Sequence, residues 1–418
     1  MSEKEPADRR WTDDQLREVD TGISDDEVEI KRNAIAKLLS NKKHLGKADS
    51  YLGKIERTLT EFEEYLYHEH TEHICNISYK EVIDFNTYLK GETDHQTYYT
   101  ITNRSDEPKE IALADTSRHG ALQIIADFYG WLVDDGIIST NPAKNALKKL
   151  PDDDFDLTPP DRPRIEMYEM KAFLQWLPSP LVRALLLFIL KTGGRLGQVV
   201  NVDLCDVHLD HPFYDSFREK HDIELTEKIS DRPDSIYLMP GFNVGTEIRG
   251  EVRQEGSKTK RDNGSIIPID DELKTALLEY LLVRRPAHNH EPRSSPLFVK
   301  ATLHGELDRL TQDAIYGLLT KKNQTTGVLK DYGWYEQGAP TAENVTVHFF
   351  RHYFTHNHKY KKGVYRDYMD QAIRKYIRGD VPDGNSSEET VYDHDDWNVW
   401  TEYIQKPYLD AIYTFDVY

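Results

Sequence analysis

Only two cysteines, Cys75 and Cys205, occur in the chain. That excludes a disulfide scaffold and a cysteine-built zinc site. No apolar run reaches the roughly 18 residues that a membrane-spanning helix needs. The opening stretch, MSEKEPADRRWTDD, lacks the apolar centre of a secretory signal. A reducing cytoplasm, away from membranes, is the expected setting. Positive charge is scarce: 53 Lys and Arg stand against 73 Asp and Glu, a net charge of −20. Low-complexity acidic tracts are missing too, and 25 Tyr, 14 Phe and 6 Trp are too many for a disordered acidic chain. A folded protein of two to three domains is expected from 418 residues, at about 150 residues per domain. Phosphate-binding proteins usually carry a basic footprint, so the bulk charge argues against nucleic acid. The cytoplasm of a halophile selects excess Asp and Glu whatever the partner. We therefore read the global charge as environmental and look for local exceptions to it.

The apolar pattern separates the chain into parts. Residues 1–33 hold eleven acidic and six basic residues with little periodicity, and 1–44 is read as an acidic arm. Leu52, Ile55, Leu59, Phe62 and Leu66 recur at helical spacing. Ser78 and Glu81 form a capping-box pattern ahead of Val82, Phe85 and Leu89. Leu122, Ile125, Phe128 and Leu132 share a face of a third helix from Ser117 to Asp135, with Gly136 at its end. Asn141-Pro142 opens a short basic helix with Lys144, Lys148 and Lys149. The stretch 151–164 has four prolines and five aspartates; it suits neither helix nor central strand and reads as a linker. Residues 45–150 thus form a helical domain. Residues 165–418 are mixed, with helices at 167–177, 180–192 and 271–285. Strand-like pieces fall at 236–239, 265–269 and 297–299. Thr311 caps a helix to about 322, and a long helix starts near Thr346.

The local exception to acidity is 351–378. It carries Arg351, Lys359, Lys361, Lys362, Arg366, Arg374, Lys375 and Arg378 against only Asp367 and Asp370. Such a segment in a strongly acidic protein suggests a surface that faces phosphate. His348 and Arg351 lie three apart, on one side of a helix, where an imidazole and a guanidinium fork can hold oxygens of one phosphate. Read by itself, a helix with this spacing is more often a capped helix with a core histidine. His68, His70, His73 and Cys75 lack a second spaced pair and read as a polar helix end rather than a metal site. No metal-ligand spacing, nucleotide-binding loop or paired carboxylates occur near the basic segment, so no cofactor or metal is expected.

Four segments in order carry a resemblance. They are Leu190-Lys-Thr-Gly-Gly-Arg195 through Asp203 and Asp206; Glu255-Gly-Ser-Lys258-Thr-Lys260 with Ile266-Ile-Pro268; His348-x-x-Arg351-His352; and Glu389-Thr-Val-Tyr392-Asp-His394. From about residue 45 onward the chain resembles the tyrosine recombinase (phage integrase) family, of a haloarchaeal type by its charge. The resemblance implies a mainly α fold with a small β-sheet (α+β). A SAM-like helical core-binding domain, 45–150, precedes a tyrosine-recombinase catalytic domain, 165–418. It implies that Arg195, Arg351 and His348 hold the scissile phosphate, that Lys258 or Lys260 protonates the leaving oxygen, and that Tyr392 is the nucleophile. Counting back from Pro268 favours Lys260, and the Ser-Lys-Thr pattern favours Lys258.

Three departures stand out. Gln198 replaces the family's acidic residue three after the first arginine. Arg378-Gly379-Asp380 replaces Leu-Gly-His, which puts Asp380 where a His or Trp donor belongs and makes His394 a substitute. Residues 207–250 look inserted. The C-terminal tail is amphipathic, through Tyr403, Ile404, Tyr408, Ile412, Tyr413 and Phe415, and suits docking on a second copy or on its own domain equally well. Double-stranded DNA is the implied partner, bound through Lys144, Lys148, Lys149, Lys359, Lys361 and Lys362, with a homodimer or homotetramer on paired sites. The competing expectations are a DNA-binding protein of the same fold that has lost catalysis, and an acidic adaptor that binds no DNA.

Overall fold

The computed structural model describes residues 28, 29, 31, 33–45, 47, 49–92, 113–151, 153–158, 163–283, 295–301, 307–320, 327–336, 343–359, 369–380 and 397–418. The chain divides into two compact units, Met1–Pro159 and Pro160–Tyr418.

The described part of the first unit is helical. Its helices are α1 (Ala34–His44), α2 (Asp49–Tyr65), α3 (Tyr79–Lys90), α4 (Asp115–Asp134) and α5 (Pro142–Lys149). α2 ends in a turn of π-helix, Leu66–His70, closed by Thr71 in the left-handed region. Ser78 and Glu81 cap α3 reciprocally: the Glu81 carboxylate accepts from the Ser78 N–H at 2.8 Å and the Ser78 hydroxyl accepts from Lys80 N–H. Asn141 caps α5, with Pro142 at its first position. Ile55, Leu59, Phe62, Phe85, Leu122, Phe128 and Leu132 are buried together. Each such side chain contributes about 1.5–3 kcal/mol by leaving water.

Two features differ from the sequence expectation. Residues 34–44 belong to α1, whose Ala34 and Leu38 are buried in this core, and not to an acidic arm. The first half of the 151–164 stretch is bound to the helices. The Asp154 carboxylate accepts from Asn86, Lys90 and Arg118, and Phe155 lies under the Arg118 guanidinium. Buried Arg118 needs that carboxylate, which outweighs the local preference for a free linker.

The second unit is built on a mostly apolar, largely buried helix, α7 (Pro180–Thr192), which follows α6 (Met167–Trp176). α11 (Asp271–Val283) and α14 (Val347–Lys359) pack on it. Between α7 and α11 come α8 (Leu196–Val200), β1 (Val207–His208), α9 (Pro212–Lys220), α10 (Glu227–Ser230), β2 (Ser235–Leu238), β3 (Glu247–Ile248), β4 (Glu251–Val252) and β5 (Ser265–Pro268). β1, β2 and β5 form an antiparallel sheet, in which Ile236 pairs with Val207 on one side and Ile267 on the other. The 207–250 segment therefore supplies two of these three strands and is not an appendage. β3 and β4 are a hairpin whose two turn residues, Arg249 and Gly250, both have positive φ, the geometry that suits the strands' twist. β6 (Val299–Ala301) pairs with β7 (Leu307–Arg309), offset from the expected strand at 297–299. α12 (Gln312–Leu319), α13 (Val328–Asp331), α15 (Gln371–Ile377), α16 (Trp397–Trp400) and α17 (Lys406–Ala411) complete the unit.

The tail chooses its own unit. Trp400, Ile404, Tyr408, Tyr413 and Phe415 are buried in the same core as α7. Tyr408 and Tyr413 hydroxyls donate to the Lys191 and Leu190 carbonyls at the end of α7. Lys191, wholly buried, meets Asp270, Glu272 and the Tyr413 carbonyl. Among the described residues no helix is long and apolar enough to cross a membrane.

Candidate active site

Three pieces of backbone deliver the cationic groups. α7 ends at Gly193, whose φ of +61° is left-handed and whose missing Cβ leaves room for the Phe354 ring, which a Cβ would approach to 2.6 Å. The chain then turns and presents Arg195 as the residue before α8. The Gln198 side chain fastens this turn: its Oε1 accepts from Arg195 N–H at 2.7 Å, and its Nε2 donates to Thr259 Oγ1 at 3.0 Å. The Gln198 amide thus ties the arginine turn to the strand that carries Lys258 and Lys260. α14 supplies Arg351, buried, and His348, exposed, on one side. The Arg351 guanidinium donates to the Gly193 carbonyl, so the C-cap of one helix positions the arginine of the other. His348 lies edge-on to His352, ring centres 4.4 Å apart.

The expected lysine strand is extended backbone. Ser257 pairs with Phe242, and Lys260 N–H donates to the Gly379 carbonyl at 2.9 Å. Ser257 and Thr259 point inward, while Lys258 and Lys260 point outward, the two-residue alternation of a strand. Lys258, whose carbonyl accepts from Arg195, lines an open groove of about 280 Å³ together with Arg195, Gln312, Tyr316, His348 and Arg351. Lys260 is not part of that lining.

At the groove's edge the cations converge on Asp380. Its carboxylate accepts from Arg195 at 2.7 Å and from Arg351 at 2.9 and 3.0 Å, and it pairs with Arg378 at 3.0 Å. Burial opposes ionisation of Asp380. Arg351, Arg378 and Arg195 outweigh it and hold the carboxyl below its ordinary range. Burial and the neighbouring Arg378 and Arg195 push Arg351 down to about 9, against the pull of Asp380. Burial is the largest of these causes. The sequence reading put Asp380 in the place of a neutral donor; it is instead an acceptor bound by three guanidiniums. Arg378 was passed over as a site residue. Its sequence signals were its place in the basic 351–378 segment and in the Arg-Gly-Asp triplet. Tyr316 was also missed, because an isolated tyrosine on a short helix carries no pattern.

Tyr392, His394, Lys361 and Lys362 lie outside the described residues. Lys359 is at the exposed end of α14. Lys144, Lys148 and Lys149 are exposed on α5 of the first unit, with the Lys149 ammonium 4.4 Å above the Tyr79 ring. The His68–Cys75 region brings no metal cluster: His73 is buried and accepts from Cys75 N–H, and burial, with Lys31 nearby, pushes it down to about 4. Among the described residues only Asp203, Cys205 and Asp206 approach one another closely enough to hold a metal. Arg249 and Arg253 already fill that place, with Arg249 2.7 Å from both carboxylates.

No protein-family model and no curated protein matches the sequence. Solved structures do match the fold. The Tn1549 transposon integrase bound to circular-intermediate DNA aligns with a TM-score of 0.52 at 15% identity, over 88% of this chain and 98% of that one. A variant of the same integrase bound to transposon right-end DNA aligns with a TM-score of 0.52 at 15% identity, over 89% and 98%. The chain has the tyrosine-recombinase fold, mainly helical with small sheets.

Proposed function

We propose that the chain is a site-specific DNA recombinase. It cleaves and rejoins double-stranded DNA through a 3′-phosphotyrosine intermediate, without metal or ATP. The observation that carries this reading is the convergence of Arg195 and Arg351 on one anion position, at 2.7–3.0 Å, beside a groove that Lys258 and His348 also line. Attack on a phosphodiester builds negative charge on its non-bridging oxygens. Fixed guanidinium and imidazole donors stabilise that charge where another enzyme uses a metal. In this reading the Tyr392 oxygen bonds to phosphorus and its proton passes to water or a base. The bond to the 5′ oxygen breaks, and Lys258 gives that oxygen its proton. Its place in the groove favours Lys258 over Lys260. Religation is the reverse, with the bond energy kept in the phosphotyrosine.

The helical first unit serves as the core-binding domain, with Lys144, Lys148 and Lys149 toward phosphates, and Lys359, Lys361 and Lys362 extend the basic surface. The Tn1549 integrase is bound to DNA in its structures, which supports DNA as the partner here. Recombination on paired sites calls for a dimer or tetramer. The −20 charge suits a cytoplasm of high salt, in which stability rises with KCl. One observation favours a second reading, a DNA-binding protein of this fold without catalysis: Asp380 occupies the anion position.

The test is covalent trapping on nicked suicide duplexes across a KCl series, because phosphate contacts weaken with salt while the acidic surface needs it. Wild type and Tyr316→Phe should form an SDS-resistant adduct; Tyr392→Phe should form none and Arg351→Ala far less. An adduct that survives Tyr392→Phe and disappears in Tyr316→Phe would move the nucleophile to the groove tyrosine. Specific binding with no adduct would establish the second reading.

A further inference from the structure

We propose that Asp380 is an internal stand-in for the substrate phosphate, and that Arg378 is a third arginine of the phosphate site. Incoming DNA displaces the carboxylate from Arg195, Arg351 and Arg378 rather than entering an empty pocket. The inference rests on the reading that the pocket takes a DNA phosphate.

The geometry is that of an anion held by a site made for anions. The carboxylate takes two hydrogen bonds from Arg351 and one from Arg195, and Arg378 lies 3.0 Å from its second oxygen. A phosphodiester likewise presents two oxygens sharing one negative charge, and the guanidinium fork binds both groups alike. The charges also leave a surplus. Three guanidiniums face one carboxylate, and burial holds both Arg351 and Arg378 below the usual arginine range, helped by Arg378 and Arg195 at Arg351 and by Arg195 and Arg374 at Arg378. Arg378 Nε is buried and has no hydrogen-bond partner among the described residues. The pocket thus retains unused donor capacity while Asp380 fills it.

The carboxylate arrives on a fixed turn. α15 ends at Arg378, Gly379 has a φ of +65°, and Asp380 N–H donates back to the Lys375 carbonyl at 2.9 Å. A Cβ on Gly379 would come within 2.5 Å of Gln198 Nε2 and would have to push that amide away from its contacts, and the positive φ itself favours glycine. Asp380 is the last residue of this turn, so its side chain can leave the arginines by changing rotamer without moving α15. A simple ion-pair strut shares these contacts. It differs in one consequence: a strut is needed whether or not a free anion is present, whereas a stand-in is replaceable by one.

The experiment titrates inorganic phosphate at constant ionic strength in high KCl, with wild type, Asp380→Asn and Asp380→Asn/Arg378→Gln. Thermal unfolding and calorimetric binding are read together. Wild type should respond weakly. Asp380→Asn should show a saturable rise in Tm and bind phosphate about tenfold or more tightly than wild type. The double variant should lose most of that gain. If Asp380→Asn folds only when phosphate is present, the stand-in is supported. If it stays unfolded with phosphate, or if folded wild type and Asp380→Asn respond equally, Asp380 is a strut and the inference is wrong. The covalent-trapping assay on wild type keeps the two ideas apart. An adduct without the expected phosphate response removes only the stand-in. A phosphate response confined to Asp380→Asn, with no adduct from wild type, keeps the anion site and removes the recombinase.

Discussion

Two arginine clusters in the second unit make opposite use of the same side chain. Arg249, Arg253 and Arg309 face Asp203, Asp206 and Glu251; among the described residues Arg195, Arg351 and Arg378 share Asp380. The first cluster is closed. Asp203, Asp206 and Arg253 are wholly buried, and Arg249 reaches them from a left-handed turn position that its side-chain bonds help to hold. It ties the β3–β4 hairpin to the segment after Arg195. The second cluster sits at an open groove with positive charge left over. Equal numbers of opposite charges make a fastening; a surplus of guanidiniums leaves room for a further anion. Arginine content alone distinguishes neither.

Breaking the closed cluster should have the largest effect. Asp203→Ala takes one shared carboxylate from three guanidiniums, leaving Asp206 and Glu251 against Arg249, Arg253 and Arg309, and should cost about 3–5 kcal/mol of stability, read by urea unfolding in high KCl. A loss below about 1 kcal/mol would show the cluster to be replaceable. Arg351→Ala breaks the open cluster and should cut adduct formation by about 10²–10³-fold, with a smaller stability loss than Asp203→Ala. An equal loss of stability in the two variants would erase the distinction between the clusters. Lys258→Ala sharpens the picture of the groove. It should slow cleavage by about 10²-fold, recover on a substrate whose 5′ leaving atom is sulfur, and leave Lys260→Ala much closer to wild type. Recovery of Lys260→Ala instead would exchange the two roles.

The smallest effect is acid-dependent. Because the folded value of Asp380 lies below its ordinary one, its ion pairs stabilise fully above about pH 3.9 and lose that contribution as pH falls through the lower folded value. Without phosphate, Asp380→Asn should be less stable than wild type near neutrality, and the gap should close below about pH 4. A gap constant from pH 6 to 3 would mean that the carboxylate's charge is not what the arginines use.

Much of the scaffold was legible because helices and strands announce themselves by period. The apolar faces of α2, α3 and α4, the strands around 236 and 266, and the cap at Thr311 were all visible. His348 and Arg351 were legible as a pair because three residues on one helix set their relative direction. α1 was not, since its two buried residues are too few to show a period against a charged background. Nor was the destination of the tail: an amphipathic face says that something covers it, and the end of α7 with Lys191 is what does.

Spacing along the chain therefore determined which side chains share a helix face or a strand side, and with the four ordered segments it pointed to one fold. Only the tertiary structure brought Arg195, Arg351, Arg378 and Asp380 to one point, because they come from three separate backbone segments up to 185 residues apart. It also put Lys258, and not Lys260, in the groove lining, and it set the charge-balanced arginine cluster apart from the one whose three guanidiniums share Asp380. Charge balance is a property of what lies within a few ångströms, and sequence distance carries no record of it.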